Sequence, residues 1–278
     1  MLSALLLLCL ALLALPATTR AADAPVLRVA YAGSMGAVMD NALGPAFAKN
    51  HKVRYQGIGQ GSYALARLLA ERQLRADVFV GVTPGPVKVL KAARRIGPAE
   101  PIASTRMVLV YSPASRFAGD LAAADGDKAA WTDILRQPGM RFGRTDPAID
   151  PQGANALLSL QLAARYYHQP GLLQQIAGPL KNPRQMFTET SLMSRLEAGQ
   201  IDATLGYLSA ARSHHLPSVE LPAAINLGDP SMDKAWYSSA GLELKSGKQL
   251  KAQPLVFYAA VLNDARQPEL ARAFVDFL

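Results

Sequence analysis

Short apolar runs alternate with longer amphipathic stretches over most of this chain of 278 residues. Residues 26–33 read VLRVAYAG, which predicts a strand running into a Gly-Ser turn, and residues 37–49 have the pattern of a helix. The order then recurs: VRYQGIGQGS predicts a strand ending in Gly-Ser, YALARLLAERQL places three leucines on one helical face, and residues 77–82 predict an apolar strand. Such alternation predicts an α/β fold with mostly parallel sheets.

The second half of the chain continues this alternation. Its predicted strands read MVLVYSP, RFGRTDP, IDATLGY and PLVFYAAVL, and its predicted helices read QGANALLSLQLAARYY, SLMSRLEAG, LSAARSHH and PELARAFVDFL. Residues 118–130 and 217–230, which are rich in Ala, Asp, Pro and Gly, are interpreted as surface connections. The chain stops at Leu278 inside a predicted helix without a capping glycine, an ending typical of a chain that continues further.

The first residues differ from the rest of the chain. LSALLLLCLALLALP is an apolar run that ends at Pro16 and is followed by small residues, which predicts a signal peptide over residues 1–21 and a periplasmic or other extracytoplasmic protein. The run is shorter than the roughly 20 residues that span a bilayer, although a short membrane anchor is the alternative because no Lys or Arg precedes it. The single cysteine, Cys9, lies inside the run, so we expect no disulfide in the mature chain.

The net charge of +8 is spread along the chain, and its densest patch is KAARR at residues 91–95. No nucleic-acid-binding motif surrounds this patch, which is typical of a solvated helix end, so we expect no nucleic-acid partner. A basic exported protein attracts anions through its long-range field.

The glycine run GIGQGS raises the question of nucleotide binding. A dinucleotide fingerprint needs a third glycine one residue later than Gly61, and an acidic residue that closes the next strand. Asp77 opens that strand instead, which places its carboxylate at the wrong edge of the sheet. The pattern therefore argues against a nucleotide.

A simpler anion site fits the two Gly-Ser turns. Ser34 and Ser62 each follow a glycine at the end of a predicted strand and stand at a predicted helix start, where free N–H groups and the helix dipole favour an oxyanion. Each serine alone is typical of an N-cap that serves only its own helix. Two copies at successive strand ends favour a site, because ligands of open α/β sheets collect there.

Other chemistry finds less support in the sequence. Asp146 and Asp150 both precede prolines ahead of a helix; Asp146 is interpreted as a turn residue, whereas Asp150 stands close enough to the helix start to cap it or to reach a ligand. There is no G-x-S-x-G motif, and the pair His214 and His215 lacks the spacing of a zinc site, so both histidines are placed on a solvated helix end.

Five segments, taken in order, carry a family resemblance. They read RVAYAGSMGAVMDNALGPAF, GIGQGSYALARLLAERQLRADVFVGV, TDPAIDPQGANALLSLQLAARYY, SLMSRLEAGQIDATLGYLSAARSHHL and WYSSAGLELKSGKQLKAQPLVFYAAVLNDARQPELARAFVDFL. They cover nearly the whole chain after the leader, and the chain resembles the tungstate/molybdate-binding periplasmic proteins of ABC transporters, the archaeal-type branch in particular. The two Gly-Ser turns, the Asp-Pro-x-Gly helix start and LEAGQIDATLGYLS are its most specific parts.

The resemblance implies the two-lobed type II substrate-binding fold, with a cleft between two α/β lobes. Lobe 1 is expected to comprise residues 25–110 and 231–278, and lobe 2 residues 111–230. The resemblance also implies that the protein is a monomer that hands a small inorganic oxyanion to an ABC permease, with no catalysis and no cofactor besides the ligand.

Five ligand-binding residues are implied by matching motif to motif. Ser34 and Ser62 come from one lobe; Asp150, Glu189 and Tyr207 come from the other. Asp150 and Glu189 would ligate the metal of the oxyanion. The Glu189 assignment departs from the family pattern in its spacing, so a capping or surface carboxylate at a helix start is its alternative. The residue before the tyrosine, often charged or bulky in the family, is glycine here.

The carboxylates favour a metal oxyanion over sulfate or phosphate. Like charges repel strongly in a cleft of low dielectric, so two carboxylates should reject a bound dianion. Molybdenum and tungsten accept extra oxygen ligands, whereas sulfur and phosphorus in their oxyanions do not. The expected ligand is tungstate or molybdate; another tetrahedral oxyanion, an oxyanion sensor and an exported hydrolase remain as alternatives.

Overall fold

The computed structural model describes residues 24–124, 129–234 and 236–278. The predicted signal peptide over residues 1–21 and Cys9 therefore lie outside the described residues. No helix within these three ranges is both long enough and apolar enough to cross a membrane.

The strands and helices are numbered here in chain order. The strands are β1 (Val26–Ala32), β2 (Arg54–Gln60), β3 (Val78–Val82), β4 (Glu100–Ser104), β5 (Met107–Tyr111), β6 (Ala203–Tyr207), β7 (Ser218–Glu220), β8 (Gly241–Glu243), β9 (Gln249–Lys251) and β10 (Val256–Val261). The helices are α1 (Gly36–Val38), α2 (Gly44–His51), α3 (Ser62–Ala70), α4 (Pro84–Ala92), α5 (Ala118–Ala123), α6 (Ala130–Leu135), α7 (Pro151–Tyr166), α8 (Leu172–Ala177), α9 (Glu189–Glu197), α10 (Leu208–Ser213), α11 (Ala223–Asn226) and α12 (Pro268–Phe277).

Two sheets organise the molecule. The first has the order β2-β1-β3-β10-β4, and the second has the order β6-β5-β7. The name first lobe is used below for the first sheet with the helices α1–α4 and α12, and the name second lobe for the second sheet with α5–α11. Every residue of the central strands β3 and β5 is buried, as expected for strands covered on both faces, and β6 is fully buried although it lies at the edge of its sheet.

Strand direction follows from where the chain crosses between the sheets. β1 runs parallel to β2 and β3, which confirms the predicted parallel α/β units, while β10 runs antiparallel to β3 and β4. β5 likewise runs antiparallel to both of its neighbours. β5 and β10 each begin at the end of their sheet that faces the other lobe, whereas β1, β3 and β6 finish at that end. The α/β class is confirmed, with antiparallel neighbours beside the parallel strands.

The crossover between the sheets is short. Only Thr105 and Arg106 separate β4 from β5, and the Thr105 backbone N–H donates to Leu255 O at 3.1 Å, just before β10. The Leu255 N–H donates in turn to Leu227 O at 3.0 Å. The hairpin β8–β9 contacts α7, which covers the second sheet. The lobe bounds given above from the family resemblance stay a prediction, and β5 pairs with the second sheet over its whole length.

Three local expectations need correction. Residues 118–130, predicted as a surface connection, contain α5 and the start of α6, and residues 217–230 contain β7 and α11. Buried residues such as Leu121 and Ile225 anchor these elements, but they are too few to give a periodic pattern in the sequence. RFGRTDP forms only isolated parallel bridges, at Phe142 and Arg144. The helix predicted over residues 37–49 is interrupted by a π-helical turn, Met39–Leu43, before Gly44 begins α2.

Candidate functional site

A cavity of about 580 Å³ lies between the lobes. Its first-lobe wall is the chain that follows β1 and β2, including Gly33 and Gly61, and its second-lobe wall is the chain that leads into α7 and α9, including Asp150 and Glu189. Because β1 and β2 are parallel, the two Gly-Ser turns meet at one edge of the first sheet, where the sequence placed them.

Ser34 lies in the 3-10 turn Gly33–Met35, directly after β1. The residue is buried, and its hydroxyl oxygen has no hydrogen-bond partner among the described residues. The side chain does not cap the turn, so the N-cap alternative does not apply to it. A buried hydroxyl without a partner costs free energy, which is a reason to look for a ligand beside it.

Ser62 is the first residue of α3, whose N-cap is Gly61. Its buried hydroxyl oxygen accepts a hydrogen bond from the Val82 N–H at 3.3 Å and makes no capping bond to its own helix. The bond joins the start of α3 to the end of β3. The hydroxyl hydrogen stays available to an acceptor, because the Val82 bond uses an oxygen lone pair.

Asp150 both caps α7 and lines the cavity. One carboxylate oxygen accepts the Gln152 N–H at 3.0 Å, as an N-cap does, and the residue is only 5% exposed. The first lobe approaches it closely: a Cβ atom at Gly61 would lie 3.0 Å from the Asp150 Cβ. The Ala64 N–H of α3 also donates to Ile149 O at 3.1 Å. Gly61 therefore permits the contact between the lobes at this point.

Glu189 begins α9 and faces the first lobe. The residue is only 6% exposed, which rules out the surface-carboxylate alternative, and Thr188 is the residue that caps the helix. A Cβ atom at Gly33 would lie 2.9 Å from Glu189 Oε2. The Ser34 backbone N–H donates a hydrogen bond to this carboxylate. Each Gly-Ser turn thus meets one carboxylate of the second lobe.

Tyr207 ends β6, and its side chain is fully buried. The hydroxyl accepts a hydrogen bond from Asn155 Nδ2 at 3.0 Å, and it lies close enough to Glu189 and Asp150 to sense their charges. Burial, followed by those two charges, raises the pKa of Tyr207 well above its usual range, so the hydroxyl keeps its proton. Of the five residues that the resemblance implied, Asp150 and Glu189 line the cavity, whereas Ser34, Ser62 and Tyr207 are buried behind its wall, and the ligand role of all five stays a prediction.

The two carboxyl groups strongly affect each other. Burial raises the pKa of Asp150 to about 6, with a smaller contribution from the charge of Asp146, while the Gln152 N–H and Thr145 oppose the rise. Burial and then the charge of Asp150 raise the pKa of Glu189 well above its usual range. Two ionised carboxylates buried in one cavity are unfavourable unless a positive centre lies beside them.

Three further residues hold the site in place and were not singled out from the sequence. Gln152 accepts the Thr145 N–H at 2.9 Å and donates to Thr204 Oγ1 at 3.2 Å, which ties the cavity wall to β6. Thr145 Oγ1 accepts the Gly153 N–H at 2.7 Å. Gln152 and Asn155 are buried amides on a helix whose other buried positions are mostly apolar. Amides in such a helix face are a usable signal for a site.

Two α/β lobes with a cavity between them, lined by the carboxyl groups of Asp150 and Glu189, have the arrangement of a two-lobed binding-protein fold. Solved structures agree on the fold. The periplasmic molybdate-binding protein of Azotobacter vinelandii superposes with a TM-score of 0.59 at 13% identity over 90% of this chain and 91% of its own. The sulfate-binding protein SubI of Mycobacterium tuberculosis superposes with a TM-score of 0.56 at 16% identity over 91% and 81%.

Sequence relatives define the family more narrowly. The chain belongs to the bacterial extracellular solute-binding protein family, whose model matches residues 27–278. The molybdate/tungstate-binding protein WtpA of Thermococcus kodakarensis is 29% identical over 247 residues, which are 82% of this chain and 69% of that protein. WtpA of Pyrococcus abyssi is 28% identical over 247 residues, 82% of this chain and 71% of that protein. Membership places this chain among proteins that capture solutes outside the cytoplasm.

The unequal hydrogen bonding of the two serines predicts different costs of truncation. Ser34→Ala removes a hydroxyl that has no partner in the part of the chain that the structure describes, so the free energy of unfolding without ligand should stay equal or rise. Ser62→Ala leaves the buried Val82 N–H without its acceptor and should lower the free energy of unfolding by about 1 kcal/mol. Urea unfolding of both variants checks this. A larger loss for Ser34→Ala than for Ser62→Ala would contradict the geometry.

Because the pKa of Asp150 is raised, replacing this residue by a neutral one should increase the stability of the protein at high pH. A carboxyl group whose pKa is about 6 in the folded state stabilises that state below its unfolded pKa, and this contribution is lost as pH rises through about 6. Asp150→Asn keeps a capping oxygen. Without ligand it should be more stable than wild type by about 1–3 kcal/mol at pH 8 and equal to it near pH 4.

The measurement is urea unfolding without ligand at both pH values. The matched control is Asp120→Asn, which removes the same charge at an exposed position and should show no such pH-dependent gain. Equal stability of Asp150→Asn and wild type at pH 8 would show that burying the ionised Asp150 carboxylate carries no cost.

Proposed function

We propose that this protein captures tungstate or molybdate in the cavity between its lobes and delivers the oxyanion to the permease of an ABC importer. The observation that carries this proposal is the meeting of two buried carboxyl groups with a buried serine hydroxyl that has no partner among the described residues. The names of the sequence relatives support the choice of ligand.

The first lobe would supply hydrogen-bond donors. The hydroxyl groups of Ser34 and Ser62 can both donate to oxyanion oxygens, and the start of α3 offers backbone N–H groups with the positive end of the helix dipole. Tyr207, which keeps its proton, can add a donor from the second lobe. Donors of this kind bind any tetrahedral oxyanion, so they do not choose among them.

Asp150 and Glu189 would select among the tetrahedral oxyanions. An ionised Asp150 or Glu189 repels sulfate and phosphate, whereas molybdenum or tungsten can accept a carboxylate oxygen as an additional ligand. The metal centre would then supply the positive charge that the carboxyl pair lacks. Ligand binding would lower the pKa of both groups and remove the cost of holding them ionised in a buried place.

A second ligand class follows from the same raised pKa. A protonated carboxyl group is a donor, so below about pH 6 Asp150 could hydrogen-bond to sulfate instead of repelling it. Sulfate binding of this kind requires the proton and is lost as the pH rises through about 6. Coordination of tungsten requires the ionised form and persists at high pH.

The transport role needs closure and no bond chemistry. Ligand contacts come from both lobes, so the ligand favours the closed state by its differential affinity, and a permease can recognise that state. We propose that the protein acts in the periplasm as a monomer without a cofactor and is not an enzyme.

Anion selectivity at two pH values tests the proposal. Calorimetric titration at pH 8 should show tight binding of tungstate or molybdate, and sulfate and phosphate should bind at least about a hundredfold more weakly because two carboxylates repel them. At pH 5 the sulfate affinity should rise. Sulfate that binds as tightly as tungstate at pH 8 would contradict metal coordination.

Glu189→Gln tests the carboxylate whose spacing in the sequence departs from the family pattern. The amide keeps the size of the side chain and an acceptor for the Ser34 N–H but cannot ligate as an anion, so tungstate affinity at pH 8 should fall by about tenfold or more. Glu100→Gln removes an equal charge at an exposed position of β4 and should leave the affinity unchanged. An unaltered affinity in Glu189→Gln would remove Glu189 from the site.

A further inference from the structure

A second cavity, of about 380 Å³, lies beside the ligand cavity. Tyr63 and Gly85 of the first lobe form one wall, and residues of α7 and of the hairpin β8–β9 form the other. Asn155, the donor to the Tyr207 hydroxyl, lines it as well, and so does Pro151, which directly follows Asp150 of the ligand cavity. Nothing in the proposed function uses this second cavity.

The hairpin is fastened to the second lobe. Gln161 of α7 donates from Nε2 to Gly241 O at 3.0 Å and accepts the Gly241 N–H at 3.0 Å. Leu242 and Leu250 are buried and belong to the main hydrophobic core. The two paired hydrogen bonds between Gln161 and Gly241 tie the base of the hairpin to α7, so the position of its turn follows α7.

From this turn Lys248 reaches the first lobe. Its Nζ atom lies 3.9 Å from the centroid of the Tyr63 ring, which is the geometry of a cation–π contact. The ring is 7% exposed, and Gly85 packs against its hydroxyl, so no other residue type fits behind it. The lysine is half-buried, which lowers its pKa, and the charge of Arg67 lowers it further.

The contact joins the lobes next to the proposed ligand residues. Tyr63 follows Ser62 in α3, and its ring lies close enough to Tyr207 to affect its pKa. Separating the lobes would pull Lys248 away from the ring, since the lysine moves with α7 and the ring moves with α3. A contact made only in the closed state stabilises that state.

We propose that Lys248 and Tyr63 form a clasp that holds the lobes closed, so that Lys248 is a positioning residue that slows release of the oxyanion without touching it. The release part rests on the proposed function, and the closure part does not. A partly desolvated cation–π contact corresponds to about a three- to tenfold change in an equilibrium constant. The change falls on the dissociation rate, because the ligand leaves only when the lobes separate and the clasp opposes that separation.

The first test is the dissociation rate of tungstate by stopped-flow fluorescence. Lys248→Met should release tungstate about three- to tenfold faster than wild type, and Lys248→Arg, which keeps a cation over the ring, should restore slow release. Lys251→Met is the matched control, because Lys251 lines the same cavity and removing it changes the overall charge equally. Both methionine variants should change the association rate alike, and only Lys248→Met should change release.

The coupling between the two partners sharpens this test. Tyr63→Leu should speed release as well, and Lys248→Met should add nothing in the Tyr63→Leu background, since each change alone removes the same contact. Equal release rates for wild type and Lys248→Met, or equal acceleration by Lys251→Met, would overturn the clasp as a control on release.

Closure can be measured without any ligand. Spin labels on Lys91→Cys and Lys181→Cys, both exposed and one in each lobe, report the distance between the lobes by pulsed electron paramagnetic resonance. The short-distance population should shrink in Lys248→Met and not in Lys251→Met. Identical distributions would overturn the clasp. Wild-type protein that binds neither tungstate nor molybdate would contradict the proposed function alone, because this measurement still decides the clasp.

Discussion

Two carboxyl groups are buried together at the meeting of the lobes, and the rest of the site is arranged around that unfavourable pair. Asp150 and Glu189 come from the starts of α7 and α9, and each is pressed against a glycine of the opposite lobe. Burial raises the pKa of both groups. Such a pair is costly in an empty cavity and becomes favourable only beside a centre that can accept their charge.

The neighbouring elements give this pair its position. Parallel strands β1 and β2 bring two Gly-Ser turns to one sheet edge, and glycines there let the second lobe approach within van der Waals contact. On the opposite side, Gln152 ties Thr145 to β6, so the wall that carries Asp150 is fixed to the same sheet that ends in Tyr207. The selectivity proposed here is therefore a property of the closed arrangement of two lobes and not of any single loop.

Much of this site could be predicted from sequence because its signals are local. A serine after a glycine at a strand end, an aspartate before proline at a helix start, and a tyrosine that ends an apolar strand are each visible within a few residues, and their order gave the family resemblance. The α/β alternation was visible for the same reason. Glu189 was the hardest of the five, because only its burial separates it from a surface carboxylate at a helix start.

The remaining features depend on contacts between residues far apart in the chain. The sequence did not show that the Ser34 hydroxyl has no partner among the residues described while the Ser62 hydroxyl accepts the Val82 N–H, because Val82 is distant in the chain. It did not show the hairpin β8–β9 on α7, or Lys248 over Tyr63, a contact that joins the two lobes. The strands β5 and β10 were predicted, but their antiparallel direction was not, because the crossover between the sheets sets it and leaves no local pattern.

The central claim is that carboxylate oxygens bind the metal of the oxyanion. X-ray absorption at the tungsten edge of the protein–tungstate complex measures this directly, because it counts the oxygen atoms around the metal. We expect more than four oxygen neighbours in the wild-type complex at pH 8, with fewer of the additional, longer bonds in Asp150→Asn. A spectrum that matches free, four-coordinate tungstate would contradict the account.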